Sequence, residues 1–562
     1  MARPAGRERS LYFEARCFPY RPPAALREER RVVVVGGGPV GLTAALALAR
    51  HGVPVVVLDD KRTVSDGSRA ICIARHSVES LQQLGLAERV VAKALGWTAG
   101  TSYYRQRAVF RLSMPHSDDE RFLPMYNLQQ QYLELFLAEA AQADPRIELR
   151  WGHRLAGLRS ASDHVALDVA TPDGSYRVHA DYVLAADGAR SQVRRSLDLA
   201  LRGAAYEGRY VIVDIRLPSE HPTERRAFFD PPANPGATVL VHKQPDDIWR
   251  IDYQLAADQD ETQALAESSI RNRVAAIVAM LGERAPWELE WWSLYQAYTV
   301  CLDDYRAGHG RVLFMGDAAH LVPIFGVRGL NSGIADAMNA AWKLAYVLRG
   351  AAPPTLLDSY SPERRGATLE IFAQAGKSTR FMTPPTRGYR RVRDAALALA
   401  AAHPFAARLL DPRQAEPYTY RDSALTSVSD DEQRFDAGPD AGAPLANRRL
   451  DDGRHLLDLL GAGFTALYFS ADGQVPDEFV RACATLDRRG DGLRLLVVTP
   501  TPVAAGAASP IVDRTGALAT AHGARAGGVY LVRPDRHICA RWQTCSAIAL
   551  TTAFERALGN DV

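Results

Sequence analysis

The segment from Arg31 to Asp60 restricts the fold more than any other part of the chain. It reads RVVVV, then Gly36-Gly37-Gly38-Pro39-Val40-Gly41, then LTAALALARHG and VPVVVLDD. A run of β-branched residues suits a strand buried on both faces in a parallel sheet. The Ala/Leu-rich stretch after it suits a helix, with Gly52 as its stop. The second apolar run ends on Asp59, 23 residues after Gly36. A G-x-G-x-x-G between strand and helix has a physical purpose. Gly36 allows the tight turn, Gly38 lets the backbone approach a pyrophosphate, and Gly41 lets the helix sit close to the strand. The phosphates then meet the positive end of the helix, and Asp59 accepts the ribose hydroxyls. An acidic residue there favours an unphosphorylated ribose, as in FAD or NAD, over NADP, and leaves the first two open. The 18 uncharged residues from Val32 to Ala49 contain this glycine turn and Pro39, so they do not read as a membrane span.

The 562 residues leave room for several domains around this unit. Lys+Arg 67 against Asp+Glu 65 gives a formal charge of +2, so no nucleic-acid partner is expected. Only five of those cations are Lys, which reads first as compositional bias. Six Cys form no Cys-x-x-Cys and no zinc-like spacing, so no metal and a reducing, cytoplasmic setting are expected. The first twenty residues mix Arg and Glu without an apolar core, so no secretory leader and no membrane association are expected.

Two further motifs follow. Residues 182–194, YVLAADGARSQVR, are an apolar strand ending in Asp187-Gly188. Residues 311–333, RVLFMGDAAHLVPIFGVRGLNSG, are another strand, Gly316-Asp317, a loop, and a helix expected from near Asn331 to about Arg349. Ile334, Met338, Ala341, Trp342, Ala345 and Leu348 share one face of that helix, and Gly350 is its C-terminal stop. A helix N-terminus at 329–333 presents unpaired N–H groups and the positive end of a dipole, which favour a negative group.

In this order and separation, the three motifs resemble the class A flavin monooxygenases, the para-hydroxybenzoate hydroxylase type. The likeness runs from about Arg31 to Gly350. It implies an α/β fold: a Rossmann-like FAD-binding domain interleaved with an antiparallel-sheet substrate domain, a helical connector and a C-terminal thioredoxin-like domain. The implied FAD contacts are Gly36, Gly38 and Gly41 on the pyrophosphate and Asp59 on the adenosine ribose. Arg69 would meet the FAD and nicotinamide phosphates, Gln130 the ribityl chain, and Leu155 the adenine through its backbone. Asp187 would serve both nucleotides and Asp317 the ribityl hydroxyls, with Gly329, Leu330 and Asn331 under the isoalloxazine edge. The activity implied is hydroxylation of a phenolic or other electron-rich aromatic by O2 and NAD(P)H, through a flavin C4a-hydroperoxide. A homodimer is expected. Two rivals stand beside this reading: a same-fold reductase or dehydrogenase, and a flavin-binding protein that sequesters an aromatic ligand. A disulfide reductase is disfavoured by the absence of a second G-x-G-x-x-G and of a redox Cys pair.

The chain departs from the family at Pro323-Ile324-Phe325 and Val327-Arg328-Gly329, where a Pro-Pro and a Gln are usual. Arg328 therefore has three readings: tuning the flavin, binding an anionic substrate, or facing solvent. Residues 200–300 alternate as an antiparallel sheet should. Trp249, Ile251 and Tyr253 share one face of the last strand, and Arg250, Asp252 and Gln254 the other. The second face is either the pocket wall or a solvated surface. His242 and Pro323 are further pocket candidates, and no catalytic base can be named. The expected divisions are an N-terminal arm (1–30) over the FAD domain and the FAD and substrate core (31–370, the substrate part at about 100–125 and 200–300). A helical connector and linker (371–440), with an Ala-rich helix at 395–402 ending before Pro404, and a thioredoxin-like domain (441–562) follow.

Overall fold

In the computed structural model the structure describes residues 2–561 except 68, 257, 324–325, 404, 407–416, 488–491 and 503–508. Ile324, Phe325 and Pro404, singled out above, lie outside the described residues.

The first layer is a parallel sheet. Its strands are β1 (Arg27–Val35), β2 (Val55–Asp59), β3 (Ile147–Trp151), β4 (Gly174–Ala185) and a later strand, Val312–Phe314. They run in the order Val312–Phe314, β4, β1, β2, β3, and every one of these pairings is parallel. Val32 to Val35 are buried, as a strand covered on both faces requires. The strand starts at Arg27, so the arm is shorter than 1–30. Helix α1 (Pro39–Arg50) joins β1 to β2, with Pro39 in its first turn, where the missing N–H costs nothing.

The second layer is an eight-stranded sheet built mainly from the expected region. Its central strands are β5 (Arg202–Arg216), β6 (Arg225–Phe229), β7 (Thr238–Lys243), β8 (Ile248–Gln254) and β9 (Glu288–Cys301), in the order β9-β5-β8-β7-β6. The strand at Ala99–Tyr104 adds to β6 in parallel. Trp249, Ile251 and Tyr253 pack with Ile270, Val274 and Ile277 of the helix Glu267–Met280. That apolar core covers one face and leaves the opposite face to the FAD domain.

Helix α2 (Gly329–Arg349) starts two residues before Asn331 and ends on Gly350 at φ 73°, the left-handed residue a C-cap needs. Nearly all of its residues from Asn331 to Tyr346 are buried, so the single apolar face read from the sequence understates its burial. Helix α3 (Tyr360–Met382) crosses the expected boundary at 370, and the Ala-rich helix is longer than expected, Arg387–Ala402. A third, five-stranded mixed sheet with flanking helices forms the C-terminal part.

The arm does more than cover the FAD domain. Ala2 bridges Trp292 of the second sheet, Leu11 N–H donates to Glu290, and Phe18 stacks on Trp151 of the first. It ties the two sheets together. No helix among the described residues is long and apolar enough to cross a membrane.

Candidate functional site

The nucleotide end is built by the glycine loop. Gly36 has φ 107°, and a Cβ there would lie 2.4 Å from the Ala186 carbonyl oxygen. A Cβ on Gly41 would lie 1.9 Å from the Gly36 carbonyl oxygen. Both glycines are therefore required by the fold. Gly38 differs: a Cβ would meet nothing within 4 Å, so the space beside it is open. That is the cradle a pyrophosphate needs at the helix start.

Asp59 sits at the tip of β2. It accepts Gly37 N–H at 2.6 Å and Lys61 N–H at 2.8 Å, one on each oxygen, which leaves lone pairs for ribose hydroxyls. Burial pushes its carboxyl up to about 6 despite those two donors. Leu155 is buried in the core beside this end. Gln130 holds the loop after β2 from both sides, accepting Ala70 N–H at 2.9 Å and donating its own backbone N–H to Ala70 O. It also donates to Glu134 at 2.6 Å. The exposed Arg69 lies in that loop.

Asp187 accepts Val193 N–H at 3.0 Å through one oxygen, while its other oxygen is buried and has no partner among the described residues. Burial raises its carboxyl above the ordinary value. Asp317 is exposed although Val312–Gly316 and Ala318–His320 on either side are buried. An exposed carboxylate set so deeply faces an internal cleft. The surrounding protein raises its affinity for a proton, with His320 and Arg69 pulling the other way. Open space at Gly38, an orphaned oxygen on Asp187 and a cleft-facing Asp317 fit a nucleotide cofactor as extended as FAD.

The Gly316-Asp317 turn is held by a group the sequence reading missed. Asp336 of α2 accepts Gly316 N–H at 3.0 Å, His320 Nε2 at 2.8 Å and Arg364 Nε at 2.6 Å. Burial opposes its ionisation, yet Arg364 and His320 outweigh that and hold the carboxyl at about 2. Folded Asp336 thus titrates below its unfolded value. Its stabilisation is complete above pH about 4 and is lost as pH falls towards about 2, a change of about 2 kcal/mol. Urea unfolding across that window should show the loss, and Asp336→Asn should remove that part of the slope.

The Asn331 side chain is hydrogen-bonded within the protein. Its amide accepts Ala74 N–H at 2.9 Å and donates to Cys72 O and Val327 O, bracing the start of α2 against the strand Cys72–Ala74. The backbone N–H groups of Gly329, Leu330 and Asn331 stay at the helix N-terminus, outside the intrahelical ladder. Arg328 is buried and donates to Gln374 of α3 at 3.1 Å. Of the three readings, facing solvent is excluded, and one of its contacts is with α3. Pro323 is buried in the same loop.

The second sheet supplies the other wall. Register pairs Trp291 with Asp214, Asp214 with Arg250, and Arg250 with His242. The pairing of Arg226 with Val241 then sets Arg225 opposite His242. Residues directly opposite share a face, so one polar row crosses five strands. All of its polar members are buried, which excludes a solvated surface. Arg250 donates to Asp214 at 2.8 and 3.0 Å and to Arg69 O at 2.6 Å, binding this wall to the FAD-domain loop. One residue pair along, Asp252 is also buried, and Gln254 is half-buried. His242 Nδ1, Asp252 Oδ1 and Gln254 Oε1 are buried without partners among the described residues. Burial lifts the Asp252 carboxyl to about 7, while burial and the flanking arginines push His242 down to about 3 and keep it neutral. Farther along the face turns apolar, with Leu240, Ala227 and Phe229 packed with Met382 and Leu397. The surface combines unsatisfied polar atoms with apolar contact area, which suits a ring bearing polar groups.

Comparison with known proteins agrees with a nucleotide cofactor. The model of a family described as FAD binding domain matches residues 29–375. A 3-(3-hydroxy-phenyl)propionate/3-hydroxycinnamic acid hydroxylase of Mycolicibacterium smegmatis is 28% identical over 539 residues, covering 93% of this chain and 92% of its own. A para-nitrophenol 4-monooxygenase of Pseudomonas sp. is 29% identical over 374 residues, covering 65% of this chain and 90% of its own. Among solved structures, the flavin-dependent monooxygenase PieE, in complex with FAD and substrate, aligns with TM-score 0.75 and 25% identity. It covers 95% of this chain and 99% of its own.

Proposed function

Because the chain belongs to the FAD-binding-domain family, we propose that it is an FAD-dependent monooxygenase that uses NAD(P)H and O2 to hydroxylate a phenolic or other electron-rich aromatic. The observation that carries this reading is the facing of two surfaces. A cleft with Asp317 and the N-terminus of α2 on one side meets a buried sheet face with unsatisfied polar atoms on the other, and Tyr295 of β9 lies within the electrostatic reach of Asp317. FAD, when bound, supplies the two-electron chemistry with nicotinamide and the activation of oxygen.

The protein's own share is placement, dryness and proton handling. Gly36, Gly38, Gly41, Asp59, Arg69, Gln130, Leu155 and Asp187 hold the nucleotide, and Asp317 with 329–331 holds the flavin end. The buried face of β5 to β8 keeps water from the reacting atoms. Asp252 Oδ1 accepts the phenol proton, since a carboxylate lifted to about 7 stands near the working pH. Arg250, Asp214 and Cys72 lie within its electrostatic reach, and of these Arg250 favours its ionised form. A phenolate is the more electron-rich ring, so removing that proton favours oxygen transfer.

The reading is tested on purified yellow protein by NAD(P)H oxidation against a phenol panel, with hydrogen peroxide quantified. Stimulation by an aromatic with little peroxide is expected, and oxidation that no aromatic changes points to the reductase reading. Asp317→Ala should yield protein with little bound FAD. kcat/KM for the phenol should rise with pH through about 7, and Asp252→Asn should flatten that rise and lower kcat about 100-fold.

A cytoplasmic, reducing location is supported by six unpaired cysteines. A homodimer is supported by the exposed Tyr389, Val392 and Leu399 on the helix Arg387–Ala402, and sedimentation of the holoprotein checks it. The C-terminal sheet, three parallel strands then two antiparallel, is read as thioredoxin-like without redox use, because Cys539 is buried away from solvent.

A further inference from the structure

Resting on the monooxygenase reading, we propose that the N-terminal arm seals the reaction chamber and that Tyr12 is its positioning residue. The Leu11-Tyr12 step pins the substrate sheet to the FAD domain, and this seal keeps NAD(P)H oxidation coupled to oxygen transfer. The arm precedes residues 29–375, the region of the FAD-binding-domain match, so the cofactor motifs do not call for it.

The arm holds both sides of one seam. On the sheet side, Ala2 exchanges two backbone hydrogen bonds with Trp292 at 2.8 and 2.9 Å, and Arg7 donates to Leu289 O at 2.7 Å. On the FAD side, Phe18 N–H donates to Arg62 O at 2.7 Å, and Arg62 Nε donates back to Phe18 O at 3.2 Å. Cys17 bridges Thr63 in the same loop, the one that carries Arg69. Between these ends, two consecutive residues reach opposite domains. Leu11 N–H donates to Glu290 of β9 at 2.8 Å. The Tyr12 hydroxyl accepts Gln131 Nε2 at 2.9 Å, and its carbonyl accepts the Tyr132 hydroxyl at 3.3 Å, both from the helix Gln130–Ala143. Arg3 adds an ion pair with Asp66 at 2.6 Å, but the Asp66 side chain is 69% exposed, and such a pair contributes little. The buried step at 11–12 carries the latch.

What lies beneath that step decides its use. Glu290 and Gln131 are each 1% exposed. Each keeps one buried oxygen, Glu290 Oε1 and Gln131 Oε1, without a hydrogen-bond partner among the described residues. Such atoms carry a desolvation cost and draw in any water that can reach them. The Tyr12 ring packs beside the Tyr132 ring at 6.3 Å, and Phe13 meets the same ring edge-on at 5.1 Å. The Tyr12 phenol also lies within electrostatic reach of Asp214 and Arg250, the pair that ties the sheet to Arg69 O. Burial, with Asp214 and Glu290, holds this phenol well above its ordinary value, so it keeps its proton at every working pH. It therefore handles no proton in the reaction. Its part is to hold the seam shut at the end of the polar row. Once the arm is displaced, water enters past Glu290 and Gln131 towards a cleft that has to stay dry. NAD(P)H, O2 and one proton then give NAD(P)+ and hydrogen peroxide, and the ring is left unchanged.

The test uses the full chain as FAD-loaded holoenzyme with the phenol that best stimulates wild type. Hydroxylated product and hydrogen peroxide are counted per NAD(P)H oxidised. Tyr12→Ala should raise the peroxide share about 10-fold, while FAD content and the rate of NAD(P)H oxidation stay within about twofold. Tyr12→Phe keeps the ring and loses only the hydroxyl contact, so it should raise the share about two- to threefold. Arg16→Gln, which removes only a half-exposed ion pair of the same arm with Glu139, should match wild type. A merely structural arm would lower the melting temperature of Tyr12→Ala and leave the peroxide share of the folded enzyme unchanged, and that result would overturn the proposal. An Arg16→Gln variant as uncoupled as Tyr12→Ala would overturn it too. If Tyr12→Ala does not fold, Tyr12→Phe decides by the same ratio. If wild type hydroxylates no phenol, the monooxygenase reading itself fails, and the seal with it.

Discussion

Gly36→Ala should give colourless protein. The added Cβ would sit 2.4 Å from the Ala186 carbonyl oxygen, and the position has φ 107°. Backbone cannot give way there without moving the turn that joins β1 to α1, so both the FAD site and the packing of the parallel sheet are lost. Gly38→Ala separates the two effects. Nothing lies within 4 Å of its Cβ, so the variant should fold with an unchanged melting profile. It should still bind FAD about 5- to 150-fold more weakly, because the methyl would overpack the pyrophosphate by about 1–3 kcal/mol. Flavin absorbance per mole of protein, read beside circular dichroism, distinguishes them. A Gly38→Ala protein that keeps full FAD affinity would remove the cradle assignment.

Glu363→Ala should cause the largest loss of stability among single changes outside the cofactor site. Its carboxylate receives Lys343 Nζ at 2.7 Å, Arg533 Nη1 at 2.6 Å, Asn339 Nδ2 at 2.7 Å and Ser423 Oγ at 2.5 Å. These come from α2, from the loop after the C-terminal strand Val529–Val532, and from the connector. Arg533 also pairs with Asp535 at 2.5 Å, and Trp342 donates to Asp535 at 3.2 Å. Removing the one carboxylate strands Lys343 and leaves Arg533 with Asp535 alone, which costs about 3–5 kcal/mol. Since Glu363, Lys343 and Arg533 join different parts of the chain, unfolding should split, the C-terminal sheet melting before the FAD core. Denaturation followed both by flavin fluorescence and by tryptophan emission would show two midpoints. Pairing Glu363→Leu with Lys343→Met should recover much of the loss, because no buried charge then lacks its partner.

Legibility in the sequence followed locality. The βαβ unit could be read because a tight turn, a phosphate approach and a close helix each demand glycine at a fixed offset. Asp187 and Asp317 could be read because each ends a buried strand. The two faces of Ile248–Gln254 were legible as a period of two, but which face would be buried was not. That was decided when the helix Glu267–Met280 took the Trp249 face and the FAD domain closed over the other. Arg328 and Asn331 were placed in the right loop, but their side chains serve Gln374 and the strand Cys72–Ala74.

What the sequence determined by itself is the cofactor: a glycine loop, an acidic strand tip and two strand-end aspartates describe a dinucleotide site without reference to anything distant. What only the tertiary structure decided is the charge pairing. Asp336 meets Arg364 across 28 residues and Glu363 meets Arg533 across 170. One Arg among 62 carries no local mark of this. The pairing of each depends on which strands and helices bring an opposite charge near, and a buried charge is settled by its neighbours in space.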